Sequence, residues 1–254
     1  MSRSVFVVAP EGLTGKSTVA LGLVDLFSRR VGRVGVYKPI VASGDRDPVL
    51  ELLIAQPGVD QSYDEAAGLS YGDWHADTES ALSTIVDKFG VLSAKYDALV
   101  VVGSDYTDVS TGNEWAANAQ IASNLGSPVV LVVHGRGRDP QKIAGTVEQA
   151  IAELKGWHAH PIAAIANRVN SDDLQEVRAL LSRTGLAVGG IAEIPLLVAP
   201  TVLNLQRACG AELVRGDPEL LHRESMGFVV AAMSLPNVLI RLREGYTIIA
   251  PGDR

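Results

Sequence analysis

The strongest chemical signal in this sequence is a lysine set between a glycine and two hydroxyl residues, just behind a short apolar run: Pro10-Glu11-Gly12-Leu13-Thr14-Gly15-Lys16-Ser17-Thr18. A loop of this kind, placed between a buried strand and a helix, turns successive backbone N–H groups and the helix amino terminus toward an anion. Gly15 lets the backbone approach a phosphate closely, Lys16 supplies a point charge, and Ser17 a hydroxyl able to reach Mg²⁺. Gly12, Thr14, Gly15, Lys16, Ser17 and Thr18 are therefore the candidate phosphate or nucleotide contacts, with a nucleotide and Mg²⁺ as the ligands such a loop would take. The full motif wants a glycine five residues before Gly15. Pro10 stands there, with a fixed φ and no N–H, so that end of the cradle must be shaped differently. The competing reading is a plain strand-to-helix turn, with Ser17 or Thr18 capping the helix and Lys16 solvated.

Nucleotide chemistry at such a loop also needs an acidic residue at the end of a neighbouring strand to hold the metal. In Tyr96-Asp97-Ala98-Leu99-Val100-Val101-Val102-Gly103 that place is taken by Val102. Asp105 and Asp108 follow; Ser17 and Asp105 are the candidate metal ligands, against a reading of both aspartates as turn formers. His134-Gly135-Arg136-Gly137-Arg138 follows another strand, at the sheet edge where open α/β folds gather ligands, so Arg136 and Arg138 are candidate anion contacts. His158 and His160 flank Ala159 without a supporting carboxylate or cysteine and read as loop residues. Trp74, Trp115 and Trp157 are scattered and read as packing residues. The single cysteine, Cys209, excludes an internal disulfide and reads as a small, at least partly buried side chain.

The elements that must position these residues alternate along the first 200 positions. Apolar, β-branched runs at 5–8, 34–37, 98–102, 129–133, 162–166 and 189–194 read as strands. Helical spacing appears between them, as at 17–30 with Val19, Leu23, Leu26 and Phe27. Continuous apolar strands alternating with amphipathic helices predict an α/β three-layer sandwich around a mostly parallel, doubly wound sheet. Residues 45–74 break the rhythm with Asp, Gly, Pro and Tyr, and predict a short helix and loops over the carboxyl end of the sheet. A composition shift at Arg215-Gly216-Asp217-Pro218 divides the chain into residues 1–214 and a second α/β domain at 215–254. That second domain stops one turn after a strand at 246–250 and reads as incomplete.

With 254 residues, 47% hydrophobic and 20% charged, the chain is long enough to bury a sizeable core. A formal net charge of −7 gives no general attraction to nucleic acid or anionic membrane, so neither is expected as a partner. The start carries no targeting segment, which together with the cysteine usage predicts a cytoplasmic protein.

Gly12-Leu13-Thr14-Gly15-Lys16-Ser17-Thr18, with Val36-Tyr37-Lys38-Pro39-Ile40 at the second strand, resembles the dethiobiotin synthetase and cobyrinic acid amide synthase branch of P-loop proteins. The resemblance adds Lys38 to the candidate contacts. Asn167-Arg168-Val169 and Gly190-Ile191-Ala192-Glu193-Ile194-Pro195 fit the same branch. Leu235-Pro236-Asn237-Val238-Leu239-Ile240-Arg241-Leu242 and Ile249-Ala250-Pro251-Gly252-Asp253-Arg254 resemble the entry to a DRTGG domain. A degenerate P-loop domain followed by a DRTGG domain is the arrangement of long-form phosphate acetyltransferases, which convert acetyl-CoA and phosphate to acetyl phosphate and CoA, reversibly. The resemblance implies that the catalytic residues lie in a carboxy-terminal acetyltransferase domain absent from this sequence, so no catalytic residue is assigned here. It further implies a homo-oligomer and a regulatory response to a small-molecule effector such as pyruvate or NADH. Two other readings stand beside it: a stand-alone ATP-dependent ligase of the dethiobiotin synthetase type, and a scaffold whose loop is vestigial.

Overall fold

The computed structural model describes residues 4–42, 46–104 and 114–252. The chain divides into two compact units, Met1–Glu193 and Ile194–Arg254. The first is built on a seven-stranded sheet among the described residues, in the order β3-β2-β4-β1-β5-β6-β7. Its strands are β1 (Ser4–Val8), β2 (Val34–Val41), β3 (Ala67–Ser70), β4 (Ala98–Val102), β5 (Val129–His134), β6 (Pro161–Val169) and β7 (Ala187–Ala192). Every neighbouring pair is parallel. From β1 the chain moves outward to β2 and β3, then returns through β4 and crosses to β5, β6 and β7. The carboxyl end of β1 therefore lies where the winding reverses, the crevice in which open α/β sheets bind ligands.

The strands alternate their side chains between two cores, as a pleat with helices on both faces requires. Phe6, Val8, Leu99, Val101, Leu131 and Val133 pack on one side against α5 (Thr78–Lys95), α6 (Glu114–Leu125), α7 (Pro140–Gly156) and α8 (Leu174–Ser182). Val7, Val34, Val36, Val100, Val102 and Val132 pack on the other against α1 (Lys16–Ser28) and α2 (Pro48–Ile54). Helix α7 shows how sequence fixes an element. Asp139 caps it by accepting from the Lys142 amide at 2.9 Å, Pro140 opens the first turn, and Ile143, Val147, Ala150, Ile151 and Leu154 form its buried stripe.

Residues 46–74 hold more regular structure than the short helix and loops expected there. Besides α2 they contain α3 (Tyr63–Ala66), the edge strand β3, and the start of α4 (Tyr71–Ala76). Strand β3 escapes the β-branched pattern because Ala67-Gly68-Leu69-Ser70 is selected for close approach rather than bulk. A Cβ on Gly68 would lie 2.0 Å from the Pro39 carbonyl oxygen and 2.8 Å from Pro39 Cα. All of that obstruction is backbone. Gly68→Ala is accordingly expected to part β3 from β2 at a cost of about 1–3 kcal/mol, read as a lowered Tm and faster amide exchange at Ile40 and Leu69.

The second unit contains α9 (Val202–Cys209), α10 (Leu235–Leu239) and a parallel pair, β8 (Gly227–Val230) and β9 (Tyr246–Ile249). Its division from the first unit falls at Glu193, earlier than the composition shift at 214/215 suggests. Residues 200–202 bond to 223–225: the Ser225 amide donates to Pro200 O at 2.8 Å and the Val202 amide to Arg223 O at 2.9 Å. Among its described residues only Val229 and Ser225 are buried. Cys209, read from sequence as at least partly buried, is instead exposed at the end of α9, since so small a unit has little interior to offer.

Candidate functional site

The loop from Ala9 to Gly15 leaves the carboxyl end of β1 and enters α1 through a left-handed residue, Gly15, with φ 75°. Leu13 also has a positive φ of 58°, an uncommon state for a branched side chain, and it is exposed. Two contacts set the loop's shape. The Asn167 side chain, at the end of β6, donates from Nδ2 to the Thr14 carbonyl at 2.8 Å. A Cβ on Gly15 would lie 2.2 Å from that same nitrogen, so both the φ and the space demand glycine. Thr14 is buried, and its Oγ1 accepts from the Lys16 amide at 3.3 Å.

Lys16 is not solvated. It is 5% exposed and its Nζ donates to the carbonyls of Gly103 and Ser104, each at 2.5 Å. Those carbonyls end β4 and are themselves held. The Ser104 amide donates to Asn118 Oδ1 at 3.0 Å, and Asn118 Nδ2 to Ser104 Oγ at 3.1 Å. The loop lysine thus clamps the start of α1 to the tip of β4, through a fixture braced from α6. Ser17 is half-buried and Thr18 and Gly12 are exposed, so the outer rim of the loop faces solvent.

Lys38 lies elsewhere in its bonding. Its side chain is 2% exposed, and Nζ meets Asp47 Oδ2 at 2.6 Å. Asp47 is the cap of α2, accepting through Oδ1 from the Val49 and Leu50 amides at 3.0 Å each. The ammonium is therefore built into the support of α2.

Arg138 is also committed. It grips Glu11 of the loop with two parallel bonds of 2.6 Å, and Glu11 Oε1 accepts in addition from the His134 amide at 3.3 Å. The bidentate pair ties the loop to the end of β5 and cancels the charge that sequence reading offered to an anion. Arg136 is 60% exposed in its side chain and stands 3.6 Å from Glu193. Glu193 is gripped by Arg168 at 2.7 and 3.0 Å. The Arg168 contact holds the Glu193 carboxyl below its usual range, against burial that raises it. Burial, then Arg138 and Arg168, push His134 below its ordinary value, so its imidazole is neutral at pH 7. His134 Nδ1 is buried and has no hydrogen-bond partner among the described residues.

Asp105 and Asp108 lie outside the described residues. Val102, at the place of the metal-holding acid, is fully buried in the α1-side core. Ser17 offers one oxygen suited to Mg²⁺, while no group of three or more His, Cys, Asp or Glu that could hold a metal occurs among the described residues. Sequence reading did not foresee the roles of Asn118, Asp47 and Glu11. A lone Asn inside an Ala-rich helix, an Asp in a turn and a Glu beside a Pro carry no pattern, and only the fold brings them to the loop or to its supports.

A sequence family described as an AAA domain matches residues 3–201, and one described as a DRTGG domain matches residues 204–254. The chain belongs to this AAA-domain family. Its curated relatives include the phosphate acetyltransferase of Nitratidesulfovibrio vulgaris, 28% identical over 269 residues, and that of Synechocystis sp., 26% identical over 267. Both alignments cover 100% of this chain and 38% of the relative. The chain thus spans well under half the length of the relatives it matches, and corresponds to their amino-terminal region. Among solved structures, the Aquifex aeolicus MinC:MinD cell division complex aligns with a TM-score of 0.50 at 16% identity, covering 85% of this chain and 99% of that one. At that identity the likeness concerns the fold alone. No helix of the described residues is long and apolar enough to cross a membrane.

Proposed function

We propose that this chain is the amino-terminal regulatory and assembly part of a phosphate acetyltransferase, and that its loop holds a phosphate-bearing effector without chemistry. In this reading the acetyl transfer between acetyl-CoA and phosphate belongs to a carboxy-terminal domain outside the sequence, the assembly is a homo-oligomer, and the compartment is the cytoplasm. The observation that carries the reading is the pairing of a retained Gly15-Lys16-Ser17 cradle at a helix amino terminus with Val102 in the metal-acid position. The first favours an anion through oriented amides and the positive helix end. The second removes the residue on which phosphoryl transfer depends. Anion binding at the rim would draw on Lys16, whose ammonium would exchange the Gly103 and Ser104 carbonyls for phosphate oxygens. A nucleotide is the phosphate-bearing ligand proposed for the loop, and Ser17 is the described residue whose hydroxyl would meet its Mg²⁺.

The test is turnover. The 254-residue chain is expected to release no phosphate from ATP–Mg²⁺, with or without acetyl-CoA, above the rate of a Lys16→Ala variant. ATP turnover abolished by Lys16→Ala would overturn this reading in favour of an ATP-dependent ligase.

A further inference from the structure

The turn after β5, residues 134–138, is fastened to the loop at both of its ends. The His134 amide bonds Glu11 at 3.3 Å, and the Arg138 guanidinium bonds it twice at 2.6 Å. Between them the Gly135 amide donates to the Asn167 carbonyl at 2.8 Å, while the Asn167 side chain donates to the Thr14 carbonyl. The turn closes on itself through the Arg138 amide and Gly135 O at 3.2 Å, with Gly137 left-handed at φ 71°. Arg136 sits in the middle of this turn, on a backbone tied to the loop at Glu11 and, through Asn167, at Thr14.

The cations around it differ in how firmly they are held. Arg138 grips Glu11 and Arg168 grips Glu193, each through two hydrogen bonds. Arg136 makes no hydrogen bond among the described residues. Its Nε stands 3.6 Å from Glu193 Oε1, an oxygen that already accepts from Arg168, and its side chain is 60% exposed. An exposed ion pair at that separation contributes little and is readily exchanged. Arg136, Arg138 and Arg168 face only Glu11 and Glu193, so with His134 neutral the cluster carries a net positive charge. The His134 imidazole senses the imbalance. Burial lowers its pKa first, and Arg138 and Arg168 each lower it by more than Glu11 or Glu193 raises it.

We propose that Arg136 is a specificity-determining residue of the loop, selecting a ligand with two or more linked phosphates over one with a single phosphate. The inference rests on the phosphate-binding reading of the loop. The amides around Gly15 take one phosphate, and the Arg136 guanidinium leaves Glu193 for the next. Its planar fork of N–H donors matches phosphate oxygens better than a point charge does. Exchange costs Arg136 one exposed ion pair, whereas Arg138 or Arg168 would have to break a bidentate one.

The probes are orthophosphate, pyrophosphate and tripolyphosphate, titrated calorimetrically into the 254-residue chain at fixed ionic strength without added metal. Affinity is expected to rise along the series, with tripolyphosphate at least about tenfold tighter than orthophosphate, or about 1.4 kcal/mol. Arg136→Gln is expected to weaken tripolyphosphate about tenfold and orthophosphate less than about twofold, because only the longer chain reaches the guanidinium. Arg136→Lys keeps the charge without the fork and is expected to fall between the two. Arg183→Gln, an equal charge change at an exposed position after α8, is expected to leave the series unchanged. Arg136 is exposed, so its variants are expected to fold. Affinity independent of chain length, an Arg136→Gln effect that is absent or equal for all three probes, or the same effect from Arg183→Gln would overturn this proposal and leave the loop reading standing. Saturable binding of none of the three would overturn both.

Discussion

Asp47→Ala is expected to destabilise the first unit by about 3–5 kcal/mol, the cost of breaking a buried ion pair by removing one partner. The pair is as buried as any in the described residues, with side-chain exposures of 2% for Lys38 and 4% for Asp47. The same carboxylate also caps α2 through the Val49 and Leu50 amides, a contribution of about 1 kcal/mol by itself. At this chain length such a loss corresponds to a fall in Tm on the order of 10 °C, measurable by thermal or urea unfolding. Asp47→Asn separates the two roles. It keeps a capping oxygen and discards the charge, so it is expected to fall between wild type and Asp47→Ala. Adding Lys38→Met to Asp47→Asn is expected to recover much of the loss, because no buried ammonium then faces a neutral partner. If Asp47→Ala costs no more than a cap, the ion pair carries no weight in stability.

Gly15→Ala is expected to remove ligand binding at the loop altogether and to lower stability by about 1–3 kcal/mol. Two independent obstacles coincide there: a φ of 75°, and the Asn167 amide nitrogen 2.2 Å from the new Cβ. Asn167 cannot simply swing away, since its Nδ2 is the donor that holds the Thr14 carbonyl. Gly126 supplies the control. It has a φ of 57° and nothing within 4 Å of a built Cβ, so Gly126→Ala isolates the left-handed backbone cost of about 1–2 kcal/mol and should leave binding intact. If the two variants behave alike, the packing of Asn167 against the loop is not what shapes it.

Much of this architecture was legible from residue order. The runs at 5–8, 34–37, 98–102, 129–133 and 162–166 announce themselves because a strand buried on both faces must be continuously apolar. The loop is legible for a related reason: Gly15, Lys16 and Ser17 are adjacent in sequence, and their roles depend mainly on local geometry. What stayed hidden depends on distant partners. Lys38 looked like a ligand contact until the fold buried it against Asp47. Arg138 looked like an open cation until Glu11, 127 positions away, closed on it. Lys16 itself was read as solvated or ligand-facing, and its grip on the carbonyls of 103 and 104 depends on Asn118 bracing a segment that no local pattern singles out. Strand β3 was hidden by its own chemistry, since Gly68 is there for what it lacks.

These contacts alter the meaning of the loop. A retained lysine in this motif suggests an active nucleotide site, yet here it holds α1 to β4 in a clamp that anion binding must compete with. Inheritance of the cradle and loss of the acid at Val102 are compatible if occupancy, rather than turnover, is what the loop now signals. The clamp gives such a signal a physical route, because release of Lys16 would loosen the tip of β4 and its brace on α6.

The most direct measurement is a calorimetric titration of the 254-residue chain with ATP–Mg²⁺, NADH, pyruvate and tripolyphosphate, repeated on Gly15→Ala and Lys16→Met. At least one phosphate-bearing ligand is expected to bind at a single saturable site that both variants abolish, with no phosphate released. Saturable binding of none of the phosphate-bearing ligands, or binding that both variants leave unchanged, would contradict the account.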